Sequence, residues 1–420
     1  MTHQARHRTG WQTVLILFFI TSAVESMSMS HVFAFMPVYL QSMQVPHVET
    51  WVGILSAVTF VVGLPLVPLW GIWAQRYGGK LVVIRSAYVE MAVLLILGLS
   101  HSLFGVFVAM MLVGFQLGNT GIMLDAIRQA APDERVGFAV SVFSVSSSVG
   151  MAGGPLVGGV ITGLHLLNLH GLYVLDGILS CLTGSMLLVL YRQPALPSDH
   201  HGANMETRRE SAWTAAWKSV RFTFSLPVTW TLFAIYTVLM MARQMITPYL
   251  PIAIERLPLH SVSTTVSIGG LMGLSAVVGA LITVVAGRLG DKVGFVRILI
   301  LAFACSLPAV LLLGLSRDVP WFILALTVFS AGYSIGGAMV FALFSTRIPE
   351  THRSTALNLV YLPLYLGGII GPAMASGLTR IGLFGPFLGA AVLFMFGIMI
   401  TVATRKRTQQ ANLPHLHSYR

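Results

Sequence analysis

The sequence predicts an all-α membrane protein with twelve transmembrane helices in two pseudo-symmetric six-helix bundles. Only 9% of its 420 residues are charged and 55% are hydrophobic, whereas about a quarter of the residues in a soluble domain are charged. Apolar segments long enough to cross a bilayer recur along the whole chain. Two short sequence signatures also occur twice, at nearly the same separation. Composition therefore excludes a soluble protein.

Twelve segments each hold about 20 mostly apolar residues, the length that a helix needs to cross the hydrocarbon. Turn-forming or charged stretches separate them, such as APDER at 131–135 and SRDVP at 316–320. The first apolar run is too long for a signal peptide, so we interpret it as a retained helix. The predicted spans are residues 12–40, 50–74, 82–100, 104–127, 137–163, 171–191, 226–250, 264–288, 295–316, 319–345, 355–379 and 382–403.

Lysine and arginine residues are distributed unequally between the two ends of these spans. With the N-terminus inside, 21 of the 25 lie in inner segments, three lie in outer loops and Arg243 lies within a helix. Positively charged loops remain in the cytoplasm. We therefore predict a multi-pass protein of the plasma (inner) membrane with both termini cytoplasmic. Because the basic residues form short clusters between apolar runs, no nucleic-acid partner is expected despite a pI near 10.1.

The repeated signatures indicate two related halves. GIWAQRYGGK, which begins at Gly71, is echoed by GRLGDKVGFVR, which begins 216 residues later at Gly287. A Gly-x3-Gly-Pro signature that begins at Gly150 recurs 217 residues later at Gly367. Transporters built from such repeats place their substrate near the midplane of the membrane, between the repeats. The repeat is the strongest indication of transport that the residues themselves give.

The repeat also defines a domain organisation. We predict bundles at 1–191 and 226–404, a cytoplasmic linker at 192–225 and a cytoplasmic tail at 405–420. Aromatic and basic residues in the second part of the linker fit a helix lying in the inner interface. A cytoplasmic extension of the seventh span is an equal alternative.

At these signatures the chain resembles the major facilitator superfamily, in particular its twelve-helix drug:proton antiporter (multidrug efflux) branch. The loop between spans two and three is similar to the family's cytoplasmic gate motif, and the second half carries a copy. The matching residues are Gly71, Arg76, Gly78 and Lys80, and in the second half Gly287, Asp291, Lys292 and Gly294. Gln75 replaces the family's aspartate in the first copy.

The fifth span carries the complete antiporter signature of the family, G-x3-G-P-x2-G-G, which is formed by Gly150, Gly154, Pro155, Gly158 and Gly159. In the family this signature accompanies export rather than uptake. Physically, the glycines permit close approach of another backbone, and the proline removes one helical hydrogen bond. The arginine that the family places in helix four is Met110 here.

Glu25 is the predicted proton-coupling residue. It lies at the middle of the first span, where a charged acid costs at least roughly 2.5 kcal/mol on insertion scales. A carboxyl group in such a place can bind and release a proton. Ser22 and Ser28 lie three residues away on either side and share its helix face. The alternative is a permanently protonated Glu25 that is bonded to these two hydroxyls.

Other polar residues within the spans are predicted to line the substrate cavity together with Ser22 and Ser28. They are Gln116, Asn119, Arg243, Tyr333, Asn358 and Tyr361. The resemblance implies a cavity lined by helices one, four, seven and ten, with eleven nearby. Arg243 is expected to pair with Glu25 or attract an anionic substrate group, or else to snorkel to the outer interface. For the uncharged residues, hydrogen bonding between helices is an equal alternative.

Four more titratable residues have simpler expectations. Glu90 is expected to bond to span two, with proton coupling as the alternative. Asp125 is expected to pair with Arg128, three residues later. Asp176 is expected to meet water or cap a helix near the outer end of span six. His31, six residues after Glu25, is expected to point to a different face of the helix, so that a relay between the two would need water.

Taken together, these features predict a secondary active transporter that exports small amphipathic compounds in exchange for protons by alternating access. An uptake symporter, or efflux of sugars or metabolites on the same fold, is the alternative, and a membrane receptor or enzyme is a remote one. The sequence shows no phosphate-binding loop, nucleophile constellation or metal-ligand spacing. We therefore expect no cofactor or metal, with the proton gradient as energy source. The expected partners are the lipid bilayer, a small-molecule substrate and protons, and the resemblance implies a monomer.

Overall fold

The structure is a computed structural model that describes residues 10–193, 227–259, 262–347 and 361–411, and these residues are almost entirely helical. The helices are α1 (Trp11–Ser42), α2 (Val48–Tyr77), α3 (Gly79–Leu99), α4 (Leu103–Gln116), α5 (Thr120–Ala130), α6 (Val136–Gly163), α7 (Leu169–Leu190), α8 (Pro227–Ile246), α9 (Leu250–Glu255), α10 (Thr264–Val293), α11 (Phe295–Leu315), α12 (Val319–Arg347), α13 (Tyr361–Leu378) and α14 (Phe384–Ala411).

Eleven helical segments of the described chain are long and apolar enough to cross a membrane. One of them, Leu103–Ala130, comprises α4 and α5 and the short break between them. The remaining predicted span, the seventh, corresponds to α8, which has the necessary length but is more polar because it contains threonines, Arg243 and Gln244. The predicted all-α membrane class is confirmed.

The chain forms two compact units. The first lies within Met1–Val48, Val58–Ala212 and Leu259–Gly273, and the second within Glu49–Ala57, Trp213–Pro258 and Leu274–Arg420. Of the predicted linker, only residues 192 and 193 are described. Helix α14 continues to Ala411, so the helix runs past residue 405, where the sequence suggested that the tail begins.

In the first unit, glycines of α6 pack directly on the backbone of α1. A Cβ atom added to Gly150 would lie 2.9 Å from the Met27 nitrogen, and one added to Gly154 would lie 2.8 Å from the Met27 oxygen. Distances below 3.0 Å are essentially never found for real Cβ atoms. The antiporter signature thus provides the close helix contact that its glycines predict.

In the second unit, α13 packs on α8 in the same way. A Cβ atom on Gly367 would lie 2.8 Å from the Met241 nitrogen, and one on Gly371 would lie 2.6 Å from the Met241 oxygen. Each signature proline, Pro155 and Pro372, lies inside its helix. The two halves therefore use one packing device at corresponding helices.

Candidate functional site

Glu25 lies in the middle of α1 and is only 7% exposed. Asn119 Nδ2 donates hydrogen bonds to both carboxylate oxygens, at 2.8 Å and 2.7 Å. Ser86 Oγ of α3 donates a third, to Oε1 at 3.2 Å. Ser28 of α1 supplies none of these bonds, since its hydroxyl has no hydrogen-bond partner among the described residues. The bonds therefore come from other helices and not from the serines of the same helix face.

A break in the fourth span places Asn119 and frees a carbonyl group. Gly118 has φ +97°, a conformation that favours glycine, and it separates α4 from α5. At the end of α4, the Gln116 carbonyl accepts from the Arg85 guanidinium at 3.3 Å and from Ser86 Oγ at 2.9 Å. The single hydroxyl hydrogen of Ser86 is shared between this carbonyl and Glu25. Non-helical backbone at membrane depth is tolerated only where protein or water satisfies it. Here the residues around Glu25 do so.

Arg85 supplies a positive charge beside this carboxylate. Its guanidinium carbon lies 3.5 Å from the centroid of the Trp70 ring, and it interacts electrostatically with Glu25. By charge distribution alone, Arg85 counts as a cytoplasmic residue. The structure places it within α3 and only partly exposed. The signal that could have identified it was its position inside the predicted span 82–100.

This arrangement can stabilise two states of Glu25. Donors from Asn119 and Ser86 and the nearby guanidinium favour the charged carboxylate, whereas burial favours the neutral acid. A carboxyl group with both influences balanced in one place can take up and release a proton as its surroundings change. Helices α1 and α3 and the break before α5 together position every group involved.

His31 and Asp176 form a buried pair farther along α1. Nδ1 of His31 lies 2.7 Å from Asp176 Oδ2, and Nε2 lies 2.8 Å from the carbonyl oxygen of Gly154. Each side chain is only 1% exposed. The expectation that Asp176 meets water or caps a helix is wrong, because α7 turns it inward toward α1. His31 does point away from Glu25, toward α6 and α7.

Glu90 is fully buried in α3, with 0% exposure, and neither carboxylate oxygen has a hydrogen-bond partner among the described residues. The expected bond to span two is therefore absent from this part of the chain. Asp125 accepts a 2.7 Å hydrogen bond from Gln129 at the exposed end of α5. Its expected pairing with Arg128 is not found there either.

The other predicted cavity residues are placed as follows. Ser22 is buried in α1, and the side-chain oxygen of Gln116 is buried without a hydrogen-bond partner in the described structure. In the second unit, the Arg243 guanidinium carbon lies 4.0 Å from the Tyr333 ring centroid. Asn358 and the side chain of Tyr361 lie outside the described residues. The role of all these residues in lining a substrate cavity stays a prediction.

The two copies of the gate motif each contain a turn of the same kind, with a glycine in a positive-φ conformation. Gly78 lies between α2 and α3 with φ +94°, and Gly294 lies between α10 and α11 with φ +102°. Lys80 donates from Nζ to the Leu188 carbonyl at 2.8 Å. Gly71 lies in α2 and Gly287 lies in α10. Asp291 and Lys292 are exposed at the end of α10. The side chain of Arg76 lies outside the described residues.

The rest of the antiporter signature meets two elements. Gly158 packs against the rings of His31 and Phe35, where an added Cβ would lie 2.7 Å and 2.8 Å from ring carbons. An added Cβ on Gly159 would lie 2.6 Å from the Thr265 carbonyl oxygen at the start of α10, within the first unit. The signature therefore fixes the helix that bears both Glu25 and His31.

Sequence relatives are named as drug-resistance proteins. Multidrug resistance protein MdtG of Enterobacter lignolyticus (strain SCF1) is 26% identical over 413 residues, which are 96% of this chain and 95% of the relative. The protein of the same name from Salmonella paratyphi C (strain RKS4594) is 25% identical over 377 residues, covering 88% of this chain and 89% of the relative.

Solved transporter structures share the fold. A mutant of the nucleoside transporter NupG aligns with a TM-score of 0.76 at 13% identity, over 93% of this chain and 99% of its own. A bacterial homolog of the human lysosomal transporter Spinster gives 0.74 at 14% identity, over 94% and 97%. The family profile described as Major Facilitator Superfamily matches residues 18–313 and 232–418. The chain therefore belongs to the Major Facilitator Superfamily and is a membrane transporter rather than an enzyme.

Proposed function

We propose that the protein exports small amphipathic compounds in exchange for protons, and that Glu25 binds the coupling proton. The observation that carries this proposal is the buried Glu25 carboxylate, held by Asn119 and Ser86 beside Arg85. An ionisable group inside a membrane-spanning helix is costly and marks an ion or substrate pathway by default. The names of the relatives and the complete antiporter signature support drug export.

The hydrogen bonds suggest how the proton is linked to a change of shape. In the charged state, Asn119 and Ser86 donate to the Glu25 carboxylate. Once one oxygen carries a proton, it no longer accepts a donor as strongly, and attraction to Arg85 is lost. Among the residues that the structure describes, Arg85 then keeps Trp70 and the Gln116 carbonyl as partners. Protonation thus loosens the link between α1 and the broken fourth span, which lets the cavity rearrange between its two accessible states.

The proposal includes the setting of the protein. It operates as a monomer in the plasma (inner) membrane with both termini cytoplasmic, in keeping with the distribution of Lys and Arg. Asp291 and Lys292, with Arg76 and Lys80, belong to the cytoplasmic gate. Uptake, or efflux of sugars, is not favoured because the relatives are named for multidrug resistance.

Proton movement in liposomes tests this function. Purified protein is reconstituted with a trapped pH dye, and lipophilic cations, neutral drugs and sugars are added in turn. We expect drugs to elicit proton flux and sugars to elicit none. Glu25→Gln, which keeps shape but cannot ionise, should abolish the drug response.

Glu134→Gln is the matched control, since it makes the same replacement at an exposed residue of the described chain. It should behave as wild type. Equal flux in wild type and Glu25→Gln would remove Glu25 from the mechanism. If sugars but not drugs moved protons, export of amphipathic compounds would be wrong.

A further inference from the structure

We infer that Glu90 is a second proton carrier of the first unit, which connects Glu25 to the His31–Asp176 pair. This inference rests on the proposed function, because it concerns the route of the same coupling proton. Three observations carry it: the burial of Glu90 without a hydrogen bond of normal geometry among the described residues, its position between two other acidic groups, and a line of aromatic and imidazole rings that leads outward from the pair.

Glu90 lacks the bonds that a purely structural acid would have. Both of its oxygens are buried without a hydrogen-bond partner in the described structure. Most buried polar side-chain atoms in native proteins are bonded. A permanently charged carboxylate in such a place would cost several kcal/mol. A neutral acid that is free to hand over its proton fits the site better than a helix-to-helix bond that is not formed.

The packing of α3 on α7 fixes the place of Glu90. Gly177 of α7 lies against Leu94, and Gly184 lies against Ala87, so Glu90 is level with the turn of α7 that carries Ser180. The Ser180 hydroxyl is also buried without a hydrogen-bond partner among the described residues. It lies one helical turn beyond Asp176 in α7. Glu90 and Asp176 therefore flank one hydroxyl group, which lies close enough to Glu90 to interact with its carboxyl group.

Acidic groups face Glu90 from two helices. Glu25 of α1 and Asp176 of α7 both interact electrostatically with Glu90. His31 of α1 is linked to this group by its hydrogen bond with Asp176. From α7 the Tyr173 hydroxyl, also buried without a hydrogen-bond partner in this part of the chain, lies near Asp176.

The remaining elements add little charge. The end of α4 contributes the uncharged amide of Gln116, and α3 itself contributes Arg85. Asp125 of α5 is engaged with Gln129 at the exposed end of its helix. Like charges that are buried near one another favour the protonated form of one of them.

A line of aromatic and imidazole rings continues outward from the pair, and the polar atoms of Tyr39 and His170 contact backbone carbonyl groups along it. The Tyr39 ring lies 5.1 Å from the Tyr173 ring and 5.1 Å from the His170 ring, measured between centroids. The His170 ring lies 4.9 Å from that of His101, which is exposed. His31 is six residues beyond Glu25 on α1, about 9 Å at 1.5 Å per residue. The pair therefore lies between Glu25 and an exposed end of the unit.

The transfer balances in two steps. In the first, a water enters between α1 and α3 and joins the two carboxyl groups; the O–H bond of neutral Glu90 breaks as its proton passes to the water, and the water gives another proton to the Glu25 carboxylate, where a new O–H bond forms. In the second, the proton held by the His31–Asp176 pair leaves as Asp176 O–H donates to Ser180 Oγ, while the Ser180 hydroxyl proton passes to Glu90. Ser180 ends unchanged. Since His31 Nε2 donates to the Gly154 carbonyl, loss of the shared proton leaves Nδ1 and the Asp176 carboxylate as two acceptors facing each other, and their repulsion favours uptake of a new proton.

The test compares Glu25→Gln and Glu90→Gln in the dye-loaded liposomes, with Glu134→Gln as control. We expect Glu90→Gln to slow drug-driven proton flux by about 100-fold, the lower end of what a positioned acid–base group contributes. Drug affinity, measured by equilibrium binding at one pH, should stay within about twofold, since Glu90 does not touch the substrate. Glu90→Asp should recover part of the flux.

Three outcomes are contrary. Wild-type flux in Glu90→Gln, with flux lost in Glu25→Gln, overturns this inference and leaves the proposed function intact. A fall in affinity that parallels the fall in flux overturns it too, since it indicates a structural role. No drug-driven flux in wild type overturns the proposed function itself. Should Glu90→Gln not fold, Ser180→Ala decides: slowed flux at unchanged affinity supports the relay, and unchanged flux removes it.

Discussion

The two units pack alike and differ in what they bury. In each unit, glycines of one helix touch the backbone of another helix, and the contacts involve equivalent atoms. Gly154 contacts the Met27 carbonyl in the first unit, and Gly371 contacts the Met241 carbonyl in the second. These contacts align α1 with α8 residue by residue. On that alignment Glu25 corresponds to Leu239 and His31 to Met245, both of which are fully buried.

The same contrast extends to neighbouring helices. The turn glycines Gly78 and Gly294 align α3 with α11, so Glu90 corresponds to Ser306. A Cβ added to Gly389 would lie 2.8 Å from the sulfur of Met245, the residue that corresponds to His31. In the second unit, a glycine therefore occupies the place that Asp176 has beside His31 in the first. The second unit is packed without these acids. The glycines thus meet a need that the two folds share, whereas the buried acids occur at these positions in the first unit and not at the corresponding positions of the second, as the proposed proton coupling requires.

Breaking the His31–Asp176 pair is expected to have the largest effect on stability. His31→Leu leaves a buried carboxylate without its partner, which costs about 3–5 kcal/mol. The double variant His31→Met with Asp176→Leu imitates the apolar second unit and should recover most of that loss. Unfolding in detergent, followed as a double-mutant cycle, gives both values. If the double variant were as unstable as the single one, the pair would be needed for the fold and the contrast would fail.

The glycine contacts should respond alike in both units. Gly154→Val and Gly371→Val each force a side chain against a backbone carbonyl, and overpacking of this kind costs about 1–3 kcal/mol. Gly153→Val and Gly377→Val are matched controls, since an added Cβ meets nothing within 4 Å at either place. The controls should change stability by less than about 0.5 kcal/mol. Melting temperatures compare the four; a large loss in one unit only would contradict the shared packing.

The smallest expected effects concern the two arginines that lie over aromatic rings. Arg85→Lys and Arg243→Lys each weaken a cation–π contact, with Trp70 and Tyr333, by about 0.5–2 kcal/mol. Both should lower stability slightly, but only Arg85→Lys should also alter drug-driven proton flux, because Arg85 faces Glu25. Thermal unfolding and the liposome assay separate these effects. An equal change of flux in both variants would show that the chemistry is not confined to the first unit.

The sequence predicted the spans, the repeat and the place of Glu25 at the middle of an apolar helix, because hydropathy, spacing and the presence of an acid in an apolar helix are local properties. It did not predict the partners of Glu25. Spacing along one helix suggested Ser22 and Ser28, whereas the donors Asn119 and Ser86 come from other helices, whose rotation depends on tertiary packing. The His31–Asp176 pair joins residues 145 positions apart, which no local pattern indicates. The Gly118–Asn119 break was visible as a turn signal, but it lay within an apolar run long enough to be interpreted as one helix.

The position of Glu25 along α1 also determines how it responds to voltage. It lies 14 residues after Trp11 and 17 before Ser42, at the ends of the helix. A proton that reaches it from either side of the membrane therefore crosses about half of the electric field. A full crossing contributes about 2.3 kcal/mol per 100 mV, so loading Glu25 draws about half of that from the membrane potential, and unloading draws the rest. On the proposed coupling through Glu25, neither step is electrically silent, and the potential drives both halves of the cycle in nearly equal measure.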